Sequence, residues 1–245
     1  MITDFSKINE ILNGNESGYF NMDCMDGMKV FPDKFFDLAI VDPIYGDVTG
    51  NGYTTSKYDK TSHHIGKCAA NEKAYHRAIW EQPKTTPEYF KELFRVSKNQ
   101  IIWGANFFTE NLPSSQGWIV WDKQRPENVS FSDSELAFTS FNVKQRIFRF
   151  MWNGMLQGDM KHKENRIHVT QKPIALYKWL INIFANPDDI ILDTHVGSAS
   201  SLIACYNTRH RFVGFEIDQI YYKDSLQRLQ TEQSQMTIFD YIGDD

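Results

Sequence analysis

The chain has 245 residues, 41% of them hydrophobic, 14% aromatic and 23% charged. That supports one domain burying ~70% of its unfolded surface, and it excludes a disordered chain, a coiled coil and a small disulfide-stapled module. With 26 basic and 31 acidic side chains the net charge is −5, which argues against a protein that coats nucleic acid with its whole surface.

No apolar run approaches the ~20 residues of a membrane span. The N-terminus, Met1-Ile2-Thr3-Asp4-Phe5, lacks a basic region followed by an apolar stretch, so no secretory signal is expected. Cys24, Cys68 and Cys205 lie far apart. They read as reduced thiols of a cytoplasmic protein, with neither a disulfide framework nor a zinc site. No repeat, low-complexity tract or linker divides the chain, so a single domain over 1–245 is expected.

In chain order, short apolar runs predict strands over 18–22 and 36–41. The second run leads into Asp42-Pro43-Ile44-Tyr45, an acid, a proline and an aromatic at a strand's carboxyl end. Taken alone, this is either a catalytic corner or an ordinary strand-terminating turn. The polar stretch 46–83 follows, with Tyr53, Lys57, Tyr58, Lys60, His63, His64 and Lys67. A loop of that length inside a domain is usually functional or mobile. Its paired histidines have no third ligand at suitable spacing, so no metal is expected.

A helix is predicted from Thr86-Pro87-Glu88, with Thr86 as cap, Pro87 in the first turn and Glu88 at the positive helix end. Strands are expected over 100–103, 118–121 and 135–141. The stretch 143–168 then carries Lys144, Arg146, Arg149, Lys161, Lys163 and Arg166 against Asp159 and Glu164, six positives less two negatives, or +4. Charge alone leaves open a phosphate-touching face and a solvated loop. A second helix is predicted from Lys172-Pro173, burying Ile174, Leu176, Tyr177, Leu180, Ile181 and Phe184, and stopping before Asn186-Pro187-Asp188-Asp189.

The span 189–218 reads as a βαβ unit. It has a strand over 190–192, the small-residue loop Asp193-Thr194-His195-Val196-Gly197-Ser198-Ala199-Ser200, a helix over 201–206, a strand over 212–215, and then Glu216. Ligands of open α/β sheets bind in the crevice beyond such strand ends. Gly197 allows a sharp turn, Ser198 and Ala199 keep the wall thin, and Glu216 can grip ribose hydroxyls. With one glycine and no Gly-x-Gly-x-x-Gly, an adenosine cofactor lacking a pyrophosphate fits better. The alternation of strands and helices predicts an α/β fold with a mixed, mostly parallel sheet and helices on both faces.

In one order the chain carries Asn21-Met22-Asp23-Cys24, Asp42-Pro43-Ile44-Tyr45, Trp118-Ile119-Val120-Trp121-Asp122-Lys123 with Phe131-Ser132-Asp133-Ser134-Glu135, Thr170-Gln171-Lys172-Pro173, and Asp193 to Ala199 followed by Glu216. In these motifs, from Tyr19 to Arg228, it resembles the permuted (beta) class of amino-methylating DNA methyltransferases, in phage or bacterial form. That resemblance implies a Rossmann-like S-adenosylmethionine-dependent methyltransferase fold whose catalytic motif precedes its cofactor motif. It implies cofactor contacts at Asp23, Cys24, Asp42, Lys172, Asp193, His195, Gly197, Ser198 and Glu216, with Asp23 near the adenine and Lys172 beside the methionine moiety. The catalytic corner would be Asp42, Pro43, Ile44 and Tyr45.

In that chemistry the Asp42 side chain and the Pro43 carbonyl orient an exocyclic amino group for in-line transfer, and Tyr45 stacks on a flipped base. Asp at the motif head leans toward adenine N6, with cytosine N4 as the alternative. A non-catalytic DNA-binding protein is a further alternative, because Ile44 replaces a second proline and loosens the corner's backbone. Ala199 stands where the family has glycine, at a backbone angle that a Cβ permits. His195 stands where phenylalanine is common.

Double-stranded DNA would meet the basic stretch 143–168, the class's target-recognition position, and the loop 46–83 would close over the base. The tail 230–245 holds Gln235-Met236-Thr237-Ile238-Phe239. This resembles a sliding-clamp binding motif, with Ile238 and Phe239 as anchors; the alternative is that they dock on the chain's own core. A bacterial or phage-infected cytoplasm is the expected compartment, with no membrane partner.

Overall fold

The computed structural model describes residues 1–46, 84–125, 132–153, 156–168 and 170–242. The candidate loop residues from Tyr53 to Lys67 therefore lie outside the described residues. The strands are β1 (Gly18–Asn21), β2 (Phe36–Val41), β3 (Ser97–Trp103), β4 (Trp118–Asp122), β5 (Ser134–Thr139), β6 (Arg146–Arg149), β7 (Trp152–Asn153), β8 (Leu156–Gln157), β9 (Ile190–Asp193) and β10 (Arg211–Glu216). Eight of them form one sheet in the order β1-β10-β9-β2-β3-β5-β4-β6, and β7 and β8 pair separately. Every pairing in the large sheet is parallel except the two that β5 makes with β3 and β4.

The central runs alternate between two cores. Leu38 and Ile40 of β2 face one core, while Ala39 and Val41 face the other. This is the period-2 pleat, and it explains the continuous apolar runs of strands covered on both sides; Phe36, at the start of the strand, departs from it and packs with Ala39 and Val41. Helices α1 (Ile8–Leu12), α2 (Cys24–Met28) and α3 (Pro87–Val96) cover one face through Ile11, Met28, Tyr89, Phe90, Leu93 and Val96. Helices α4 (Ile174–Phe184), α5 (Ser200–Asn207) and α6 (Gln219–Ile242) cover the other through Leu176, Leu180, Ile181, Leu202, Ile203 and Leu229.

Several expectations shift. β3 begins at Ser97 because Ser97 already pairs with Phe36. β5 ends at Thr139, whose Oγ1 accepts the Phe141 amide at 3.1 Å and turns the chain. Thr86 occupies the cap position of α3 without capping it, since its hydroxyl pairs with the Glu88 carboxylate. Ile174 is only half-buried at the start of α4. The tail from 230 does not follow a polar helix but continues one. The backbone stays helical to Ile242, because the segment contains no proline or glycine to stop it. Gln235 and the backbone of Ile238 and Phe239 thus lie in the last turns of α6. No helix among the described residues is long and apolar enough to cross a membrane.

Candidate active site

Parallel strands end at one edge of a sheet, and an antiparallel neighbour begins there. Asp42 follows β2, Lys123 follows β4 and Trp103 closes β3, while Glu135 stands near the start of β5 at the same edge. Lys172 enters from the loop before α4. Its Nζ contacts Asp42 Oδ2 and lies 3.1 Å from Glu135 Oε2. Lys123 Nζ holds the other Glu135 oxygen at 2.6 Å. The charges thus alternate along Asp42, Lys172, Glu135 and Lys123. Trp103 and Trp121 present ring faces to the two ammonium groups at 5.5 and 5.2 Å.

Burial raises the Asp42 pKa, and Lys172 offsets part of that rise. Burial works against the Lys172 ammonium, but Asp42 and Glu135 outweigh it and hold its pKa well above the usual value. Burial also opposes ionisation of Glu135, yet Lys172 and Lys123 hold its pKa down at about 2. Lys172 is favoured more than Asp42 because it has two anionic partners while Asp42 shares one cation. Asp42 Oδ1 is buried and accepts no hydrogen bond among the described residues. An unmet acceptor of this kind is rare enough to require an explanation.

The corner's backbone is tied down. The Ile44 carbonyl accepts from both the Thr85 amide and the Thr85 hydroxyl, each at 2.8 Å. Thr85 thus holds the peptide that follows Ile44, one peptide beyond the N–H that this residue restores to the corner. Tyr45 stacks on Phe107 with centroids 4.8 Å apart and planes 21° apart. Gly104, at φ +64°, leaves room for this ring. A Cβ there would sit 2.9 Å from Tyr45 Cδ1.

The loop after β9 is built around Asp193. Its Oδ1 accepts the His195 amide at 3.0 Å, and its Oδ2 accepts the Ser201 hydroxyl. Burial pushes its pKa up to about 7. Gly197 turns at φ +55° and donates its amide to Glu216 Oε2 at 2.8 Å, while Glu216 Oε1 accepts the Asp218 amide at 2.9 Å. Both Glu216 oxygens therefore carry one backbone bond each, and a carboxylate oxygen has lone pairs for a second. Ala199 adopts φ +61°, so the Cβ did not bring a different backbone angle. It holds a left-handed conformation that a glycine would adopt freely, at a cost of about 1–2 kcal/mol. His195 packs edge-on to Tyr89 at 5.4 Å, and burial lowers its pKa to about 4, so the ring is neutral.

Both regions open into one cavity of about 290 Å³. It is lined by Asp42, Pro43, Ile44, Tyr45 and Lys172 from the corner, and by Asp23, Cys24, His195, Gly197, Ser198 and Glu216 from the cofactor unit. Asp23 also caps α2 by accepting the Met25 amide at 2.7 Å. Burial pushes the Cys24 thiol up to about 12, which makes it an uncharged wall. One expected residue sits differently. Asp193 does not line the cavity, because its oxygens are turned into its own loop. Lys172 lines the cavity at the Asp42 corner.

Other residues join the site that the sequence did not assign to it. Glu135 and Lys123 were visible as charges bounding apolar strands, but nothing local joined them to Asp42. Gly104 and Phe107 carried no motif signal. His168 lines the cavity beside Gly197, and burial lowers its pKa to about 4. Arg228 of α6 donates to the Ser198 carbonyl at 2.6 Å and to Glu164 at 2.6 Å, bracing the cofactor loop.

The basic stretch is not one loop. It holds β6, an edge strand, followed by the β7–β8 hairpin. Lys144, Arg146, Arg149, Lys161 and Lys163 are exposed there, with Arg149 3.6 Å from Asp122. Arg166 differs, since its guanidinium lies over the Trp152 ring at 4.4 Å. Glu164 faces inward, accepting the Ile174 amide at 2.8 Å and so capping α4. With Glu164 turned inward and Arg166 laid on Trp152, the outward charge stays at five positives less Asp159, or +4.

The family model described as DNA methylase, of the N6/N4 class, matches residues 49–227. The YubD protein of Escherichia coli (strain K12) is 36% identical over 224 residues, covering 90% of this chain and 93% of its own. Among solved structures, the M1.HpyAVI–SAM complex aligns with a TM-score of 0.52 and 20% identity, over 86% of this chain and 98% of that one. PvuII DNA methyltransferase, cytosine-N4-specific, aligns at 0.56 and 10% identity, over 90% and 91%. At those identities the structures speak for a shared methyltransferase fold.

Proposed function

The chain belongs to the N6/N4 class of DNA methylases, and on that premise we propose that it methylates the exocyclic N6 of adenine in double-stranded DNA, using S-adenosylmethionine. The observation that carries this reading is Asp42, which lines a cavity shared with the cofactor unit and keeps a buried oxygen without a partner among the described residues.

The residues present suit the cofactor. Glu216 keeps lone pairs for ribose hydroxyls, Gly197 and Ser198 form a thin wall, and Asp23 and Cys24 border the same space. When bound, S-adenosylmethionine supplies an electrophilic methyl group, whose bonding pair stays on sulfur. A base amino group is a poor nucleophile because its lone pair is delocalised into the ring. Asp42 Oδ1 and the Pro43 carbonyl accept its two N–H bonds and turn the nitrogen toward tetrahedral geometry. The lone pair forms the new N–C bond, and the surplus proton passes to Asp42 Oδ1 and on to water. Tyr45, backed by Phe107, stacks on the extruded base, a contact worth about 1–3 kcal/mol. The corner's contribution is positioning and electrostatics. The exposed cations of the β6–β8 region supply sequence-independent attraction to phosphates.

Asp at the motif head supports adenine over cytosine, as the family tendency has it. Cytosine N4 is the second reading, favoured by the cytosine-N4-specific neighbour. The test is nucleoside mass spectrometry on unmethylated DNA incubated with protein and cofactor, beside an Asp42→Ala control. N6-methyldeoxyadenosine that vanishes in the control is expected. N4-methyldeoxycytidine would overturn the base assignment alone, and no methylated base despite cofactor binding would favour a non-catalytic protein.

A further inference from the structure

Asp42 has two oxygens, and accepting an amino hydrogen requires one of them to stay unengaged. An ammonium group carries three donors and rotates freely on its stem. With Asp42 as its sole anionic partner, the buried Lys172 ammonium would gain most by straddling both carboxylate oxygens. It does not do so. It contacts Oδ2, leaves Oδ1 unpartnered among the described residues, and turns a second donor to Glu135 Oε2 at 3.1 Å. Glu135 is itself fixed from the far side, with Lys123 on Oε1 at 2.6 Å. Lys172 is 4% exposed and Lys123 10% exposed, so neither cation can turn to water instead.

We infer that Glu135, anchored by Lys123, is a positioning residue for amino methylation: it draws the Lys172 ammonium off the carboxylate axis so that Asp42 Oδ1 stays unengaged and is left to accept from the target amino group. This rests on the methyl-transfer reading above. Glu135 does not line the cavity and touches no reacting atom; it acts through Lys172. Strand order makes the arrangement possible, because β5 is the antiparallel strand that starts where β3 and β4 end. The charged groups bearing on Asp42 are Lys172, Lys123, Glu135 and, from β9, Asp193. The phenols of Tyr89 and Tyr177 also face it and are held neutral by burial.

The test compares the parent with Glu135→Gln, which keeps shape and one acceptor oxygen but loses the charge and the second acceptor, and with Glu135→Asp, which keeps charge but is too short to reach both lysines. Turnover at saturating cofactor and DNA, cofactor Kd, the pH–rate profile and the 13C titration of the Asp42 carboxyl in cofactor-free protein are measured. Glu135→Gln should lower kcat about tenfold or more with Kd within about twofold. Its acid limb and the Asp42 titration should both move to lower pH, because a like charge opposing Asp42 ionisation has gone. Glu135→Asp should lower kcat while moving that limb far less. Parent-like kcat in Glu135→Gln overturns the inference. So does a loss of kcat matched by a loss of cofactor affinity with the limb unmoved, which would mark a structural role. If the parent methylates no DNA, the underlying reading fails. The carboxyl titration then decides separately, and an Asp42 signal indifferent to Glu135→Gln overturns the placement too.

Discussion

Two neighbouring strands, β2 and β9, each deliver an aspartate to the same edge of the sheet, and the two acids are used in opposite ways. Asp193 has both oxygens committed to its own loop, one to the His195 amide and one to the Ser201 hydroxyl. Asp42 has one oxygen on Lys172 and one without a partner among the described residues. Only Asp42 lines the cavity. A carboxylate with both oxygens bonded inside its own turn and facing no cavity is scaffold. One that keeps a costly unmet acceptor at a cavity is available for work.

The sharpest way to break this comparison is to remove each charge in turn. Asp42→Asn should lower turnover by about 10²–10⁴-fold with cofactor Kd little changed. Asp193→Asn should keep turnover at saturating cofactor within a few-fold and weaken cofactor binding instead. Equal losses of kcat in both variants, measured with saturating cofactor, would erase the distinction.

Stability against pH probes the loop alone. Asp193 has its pKa raised to about 7, so its contribution is complete below its unfolded pKa near 4 and lost as pH rises through about 7. His195 has its pKa lowered to about 4, so its contribution is present above 6.5 and lost as pH falls through about 4. Between those limits the two slopes oppose each other. Urea unfolding from pH 4 to 7.5 should show His195→Asn losing stability, relative to the parent, as pH rises. Asp193→Asn should lose it, relative to the parent, as pH falls. Difference curves that are flat in both cases would mean that neither group is buried as described.

The smallest expected effect comes from the two turn glycines. Gly197→Ala meets only ordinary contact, 3.5 Å from the His168 ring. It should therefore cost about 1 kcal/mol for its left-handed φ, read by thermal unfolding. The neighbouring Ala199 already tolerates the same conformation. Gly104→Ala adds a Cβ 2.9 Å from Tyr45, so it should cost more stability and reduce turnover as the base-stacking ring shifts. A Gly104→Ala variant with parent turnover would remove Tyr45's orientation from the proposed mechanism.

Much of the scaffold was legible locally. The apolar run 36–41, the helix opening at Pro87 and the βαβ unit around 190–216 depend on periodicity, turn residues and strand length, which act over a few residues. The corner Asp42 to Tyr45 and the lining set around Gly197 and Glu216 were readable for the same reason, since each motif is contiguous. Side-chain direction was not readable in this way. Asp193 belonged to a recognised loop, yet its carboxylate turns into that loop. Glu164 counted as a surface negative, yet it caps α4 and pairs with Arg228. Arg166 counted with the basic face, yet it lies on Trp152. The continuation of α6 past 230 was missed because a polar amphipathic end gave no stop signal and no strong apolar face.

The sequence by itself determined the element types, the motif order and the family resemblance, because these follow from short-range patterning along the chain. The tertiary structure alone decided that Lys123, Glu135, Lys172 and Asp42 form one alternating row of charge. Those residues come from β4, β5, the α4 approach and β2, and they meet only because one antiparallel strand is inserted into a parallel sheet. Charge and desolvation depend on distance in space, and a sequence records only distance along the backbone.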